Sequence, residues 1–160
     1  MAEIVLLIVF VLTTLLMKVT RGGYNFALSG RIAMAAMLVF TAIGHVLFTK
    51  GMSMMLPEAI PYKIELVYLT GIVELIAAIG LLLPRFRVMT AWWLIAFFIL
   101  LLPANIYAAV KHVDLLKATF EGNGLSYLWY RIPLQLFFVS WVYLSAIKKY
   151  GMINQKNKNT

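Results

Sequence analysis

The sequence predicts an all-α, polytopic membrane protein: an antiparallel four-helix transmembrane bundle plus an N-terminal fifth transmembrane helix. Three observations predict it. Of the 160 residues, 63% are hydrophobic and 12% charged, against about 45–50% and about 25% in soluble domains. The apolar residues gather in five runs, near 3–18, 31–49, 64–83, 88–110 and 128–147. The basic residues stand between and after these runs, where they orient helices in a bilayer. The net charge of +8 therefore concerns membrane orientation, and nucleic acid is not an expected partner.

The first run, within MAEIVLLIVFVLTTLLMKVTRGG, is the shortest. Its polar content is limited to Thr13 and Thr14, so it lacks the charged face that holds a helix flat on a membrane, and it reads as spanning. It begins with Glu3 rather than a basic stretch, and no small-x-small cleavage site follows, so it reads as retained rather than as a cleaved signal peptide. The other four runs have the roughly 20 residues that a helix needs to cross a ~30 Å hydrocarbon core. Arg21-Gly22-Gly23 follows the first run, Pro57 and Pro61 the second and Pro84 the third, while Gly122-Asn123-Gly124 precedes the fifth; these are helix breakers in the expected places. The chain divides into an N-terminal helix and linker (1–28), a four-helix membrane domain (29–147) and a basic tail (148–160) whose NQKNKNT ending reads as disordered.

If all five runs cross, Lys18, Arg21, Arg31, Arg85, Arg87, Lys148, Lys149, Lys156 and Lys158 share one side, and Lys50, Lys63, Lys111 and Lys117 share the other. The second side also carries Glu3, Glu58, Glu65, Asp114 and Glu121, which gives net charges of +9 and −1. The positive-inside rule then places the C-terminus in the cytoplasm and the N-terminus outside.

One basic and one acidic residue, Arg131 and Glu74, are left within the membrane, as a buried ion pair would require. At 1.5 Å per residue, His45, Asn105 and Arg131 lie near the outer ends of their runs, and Glu74 is deepest, roughly 15 Å from its outer end. Gln135 shares a face with Arg131, because i and i+4 are neighbours on a helix. Intramembrane polar groups cost about 2.5–3.5 kcal/mol each when charged and face the bundle interior, so His45, Glu74, Asn105, Arg131 and Gln135 are expected to converge. Pro103 and Pro133 remove helical hydrogen bonds and free the carbonyls of Ile99 and Trp129, close to Asn105 and Gln135. Gly71, Ala77, Ala78 and Gly80 allow close helix approach, which suggests a central place for the Glu74 helix. Trp92 and Trp93 on the inside, and Tyr62, Tyr68, Tyr107, Tyr127, Trp129 and Tyr130 on the outside, form the interfacial belt.

Cysteine is absent, which excludes thiolate nucleophiles, iron–sulfur clusters and zinc-thiolate sites within this chain. With His112 as the only second histidine, in a loop, a metal site is not expected.

Gly44-His45, Gly71 with Glu74 ahead of a Leu-Leu-Pro end, Pro103-Ala104-Asn105, and Arg131, Pro133, Gln135 and Trp141 together resemble the DoxX family of small bacterial membrane proteins over about residues 29–147. The resemblance implies a four-helix antiparallel core in the bacterial cytoplasmic (inner) membrane. It also implies a loose association with membrane oxidoreductase assemblies, including a thiosulfate–quinone reductase subunit, while distant animal relatives look like assembly chaperones for receptor channels.

Each candidate also has a structural reading. Glu74 is a titrating or ligand-binding carboxylate or a packing partner, and Arg131 binds an anionic group or snorkels outward. Asn105 and Gln135 serve a ligand or glue helices. Met52, Met54 and Met55 read as flexible packing. The leading expectation is a DoxX-like subunit that binds a lipophilic or quinone-like molecule in an outward-facing pocket lined by His45, Glu74, Asn105, Arg131 and Gln135. It would not be catalytic alone, since no cofactor motif is present. The alternative is a non-enzymatic assembly factor or accessory subunit that meets a membrane protein partner or a second copy of itself.

Overall fold

Every apolar run becomes helix, but the helices do not start and stop where hydropathy does. A computed structural model describes residues 2–148, and the tail with Lys149, Lys156 and Lys158 lies outside the described residues. Helix α1 covers Ala2–Arg21, α2 Phe26–Leu47, the short α3 Thr49–Met54, α4 Lys63–Leu82, α5 Arg87–Val110 and α6 Ser126–Val142. Of these, α1, α2, α4 and α5 are long and apolar enough to cross a membrane. Helix α6 has 17 residues, or about 25 Å, and runs directly into a π-helical stretch, Tyr143–Lys148. Among the described residues no strand forms, and the one bridge pairs Asp114 with Thr119.

The second helix shows why hydropathy misplaces a boundary. Asn25 caps it, its side chain accepting the Leu28 N–H at 3.2 Å, which satisfies an otherwise orphaned donor of the first turn. The helix therefore begins at Phe26, ahead of the apolar run at 31–49, and carries Ser29 and Arg31 into the bundle. Both are buried.

Helix α2, rather than α4, is the central element. It packs along α1 on one side and α4 on another, and it meets α3, α6 and the π-helical stretch. Buried Gly30, Ala33, Ala35 and Ala42 line it, and small residues let neighbouring backbones come close. Trp141 on α6 donates its indole N–H to the Gly30 carbonyl at 3.0 Å, and Phe10 of α1 meets the Trp141 ring edge-on at 4.9 Å. Tyr130 donates to Glu3 Oε1 at 2.7 Å, so the starts of α1 and α6 lie at the same end.

Connections sort the bundle into two ends. At the short-turn end lie residues 22–25 and 83–86. At the long-loop end, α3, residues 55–62 and residues 111–125 form a cover. Apart from Leu6 of α1, the apolar core belongs to the middle and the short-turn half, with Met37 and Leu38, Leu81, Leu94 and Phe98, and Phe138 and Val142 packed together.

The cover is built rather than slack. Asp114 Oδ1 accepts the backbone N–H groups of Leu116 and Lys117 at 3.0 and 3.1 Å, and Gly122 donates to the His112 carbonyl at 2.6 Å. Buried Gly51 of α3 sits against the Leu115 carbonyl so closely that a Cβ would collide with the backbone oxygen. Gly51→Ala is therefore expected to cost about 1–3 kcal/mol, seen as a lower thermal midpoint in detergent. An unchanged midpoint would mean that α3 and residues 111–125 are not packed together.

Candidate functional site

Thr41 and His45 lie one turn apart on α2 and face Glu74 on α4. His45 Nδ1 is 2.9 Å from the Thr41 carbonyl and 3.5 Å from Glu74 Oε2. The first is a good hydrogen-bond distance and the second is at its limit. Gly71, three residues before Glu74 and on the same face, makes the approach possible, since a Cβ there would stand 3.1 Å from the His45 Cβ. Glu74 is 5% exposed, and the Thr41 hydroxyl stands beside its carboxyl group. Its Oε2 nevertheless has no hydrogen-bond partner among the described residues.

The remaining three candidates meet across α5 and α6. Arg131 Nε donates to Asn105 Oδ1 at 3.2 Å. Asn105 Nδ2 donates to the Leu101 carbonyl at 3.1 Å and makes a long 3.5 Å contact to Gln135 Oε1. Gln135 Nε2 in turn donates to the Phe98 carbonyl. Asn105 is thus the hub, with its oxygen and its amide nitrogen both engaged. The Arg131 guanidinium also lies 6.0 Å from the centre of the Tyr127 ring, within cation–π range.

Two expectations change in detail. Arg131 turns to Asn105, and no contact of ion-pair length joins it to Glu74 among the described residues. The amides of Asn105 and Gln135 bond the carbonyls of Leu101 and Phe98. His45 and Glu74 sit at one level, although His45 is two residues from the end of α2 and Glu74 eleven from the start of α4. The start of α4 consequently extends roughly 13 Å beyond the end of α2, and α3 with the long loops fills the step.

The candidates form two subclusters, His45 with Glu74 and Asn105 with Arg131 and Gln135. A cleft of about 210 Å³ opens at the long-loop end, lined by residues including Ser53, Lys63, Tyr107, Lys111 and Phe120. None of the five candidates lines it. Sequence reasoning missed Thr41, whose signal was its i−4 spacing from His45, and buried Arg31, whose signal was the Asn25 cap upstream. Among the described residues no group of three metal-ligating side chains occurs.

Chemically, the His45 and Glu74 pair has unused capacity. If Nδ1–H donates to Thr41, Nε2 is left as an acceptor; it has no hydrogen-bond partner among the described residues. Together with Glu74 Oε2 it offers two polar atoms on adjacent helices in an apolar setting. In the Asn105 network, by contrast, no buried side-chain nitrogen or oxygen lacks a hydrogen-bond partner among the described residues.

Long apolar helices around a buried polar cluster define a helical bundle of membrane type. The chain belongs to the family described as a domain of unknown function, DUF8561, which matches residues 34–146. That stretch contains both subclusters, while α1 lies ahead of it. No curated protein and no solved structure matches the chain, and nothing in the family match links it to the DoxX family.

Removing the hub should expose the coupling between α5 and α6. Asn105→Leu is expected to lose about 1.5–3 kcal/mol, the range for hydrogen bonds to charged groups. Asn105→Leu combined with Arg131→Leu should lose less than the two single losses added together. Thermal unfolding of all four proteins in one detergent checks this; strict additivity would show that the two side chains act independently.

Proposed function

We propose that this protein is a five-span subunit of the bacterial inner membrane, N-terminus outside and C-terminus cytoplasmic, that binds a lipophilic or quinone-like molecule through the His45 and Glu74 subcluster. The observation that carries this reading is the buried Glu74 Oε2 without a hydrogen-bond partner among the described residues, beside His45. A buried polar atom left unpaired costs about 1–3 kcal/mol, and a ligand hydroxyl, such as that of a quinol, that donates there removes the cost; a quinone carbonyl pairs only with the protonated carboxyl group. The DoxX-like motifs and the charge asymmetry support the family context and the orientation. In a redox setting the chain supplies hydrogen-bonding groups, and a partner supplies the electrons.

The assembly-factor reading rests on a different observation. Asn105, Arg131 and Gln135 satisfy one another and the α5 backbone, as helix glue does. On this reading the cover at the long-loop end meets the partner.

Glu74→Gln separates the two. With the ligand reading, saturable binding of a short-chain quinol, whose hydroxyl donates to the carboxylate, followed by quenching of tryptophan fluorescence in detergent, weakens about tenfold while thermal stability is kept or raised. Loss of stability with no saturable binding in the wild type favours the assembly reading instead.

A further inference from the structure

The cleft at the long-loop end is lined by ionisable side chains that the bundle itself does not use. Lys63 opens α4 and Lys111 follows the last residue of α5, and both line the cleft together with Glu58, Tyr107 and Phe120. Lys63 is partly buried, yet its ammonium group has no ion pair or hydrogen bond among the described residues. Its place in the helix does not explain it either, because a positive charge on the first turn opposes the helix dipole. Lys111 rests over the Tyr107 ring at 6.0 Å and, like Glu58, makes no ion pair among the described residues.

The backbone beside both lysines is strained. Tyr62, immediately before Lys63, and His112, immediately after Lys111, each hold a φ of 54°, in the left-handed region that disfavours residues with a side chain. His112 takes the position that glycine usually fills at the end of a helix. Its N–H donates to the Ala109 carbonyl at 3.2 Å, and the Val113 N–H to the Ala108 carbonyl at 2.9 Å. The His112 ring lies so close to Gly124 that a Cβ there would collide with it. Such conformations persist where the surrounding packing over-determines them, and they gather at sites that clamp a ligand.

Charge and shape narrow the ligand. Two ammonium groups and one carboxylate give the lining a net charge of +1, which a single negative charge balances and a second one overshoots. Lysine is a point charge without the fork by which arginine selects phosphate, so a carboxylate suits it well. The rings of Tyr107 and Phe120 offer an apolar wall, and Phe120 is 62% exposed and meets no other ring among the described residues. A cavity of about 150 Å³ holds a benzene molecule; the cleft, at about 210 Å³, suits one ring with one substituent.

We propose that this cleft binds a small organic monocarboxylate, its carboxylate group drawn to Lys63 and Lys111 and its apolar body against Tyr107 and Phe120. The proposal is independent of the quinone reading, since neither His45 nor Glu74 lines the cleft.

The test is a saturation-transfer NMR titration of benzoate with the full chain in a non-ionic detergent, against the same detergent without protein. Benzoate is expected to saturate. Benzyl alcohol, which keeps the ring and lacks the charge, and phthalate, which carries a second charge, should each bind about tenfold more weakly. Lys63→Gln and Lys111→Gln should each weaken benzoate binding about tenfold, as loss of a charge-assisted hydrogen bond does, with the thermal midpoint kept. Glu58→Gln removes the negative charge from the lining and should bring phthalate level with benzoate, a change that a purely structural role of these side chains would not produce. Should a lysine variant fail to fold, the three probes and Glu58→Gln carry the test. No saturable benzoate binding, equal binding of benzyl alcohol or phthalate to the wild type, or unchanged benzoate affinity in folded lysine variants would overturn the proposal.

Discussion

The seam between α2 and α4 sets the terms for the rest of the bundle. Glu74 sits against His45, and the missing side chain at Gly71 eases the approach, since a Cβ there would stand 3.1 Å from the His45 Cβ. Meeting there fixes the axial offset of the two helices, so that α4 projects past the end of α2. The step is then filled by α3 and residues 111–125, pressed together at Gly51. A polar contact in mid-bundle thus dictates a cover at its end.

The interior is divided along its length. Toward the short turns, Met37, Leu38, Leu81 and Phe138 belong to one apolar core, with buried Ser29 and Arg31 at its end. Toward the long loops, two polar subclusters take over, and they differ in character. Asn105, Arg131 and Gln135 consume one another's hydrogen-bonding capacity and bind two proline-containing helices together. His45 and Glu74 retain capacity, which is why the ligand reading is attached to them. Partial satisfaction in an apolar setting is costly, and between the two subclusters the retained capacity belongs to the α2–α4 seam.

Positive charge follows a separate logic. Basic residues flanking membrane helices orient the chain, and in that role they need only be near the surface. Arg31 is different because the cap at Asn25 starts α2 early and draws the residue inward.

Composition and spacing alone determined the helical class, the five helical segments, the identity of the five polar candidates, and the shared face of Arg131 and Gln135. These follow from apolar content and from a fixed 3.6-residue period, both properties of the chain taken one residue after another. Tertiary structure decided that Arg131 pairs with Asn105 and not with Glu74, that His45 lies level with Glu74, and that α2 is central. It also decided that Arg31 is buried while Lys18 and Arg85 rest over aromatic rings. The reason is physical: hydropathy adds contributions along one helix, whereas partner choice and depth depend on the axial offset between neighbouring helices. That offset is set by close contacts such as Gly71 on His45 and Gly51 on Leu115, between residues far apart in the chain.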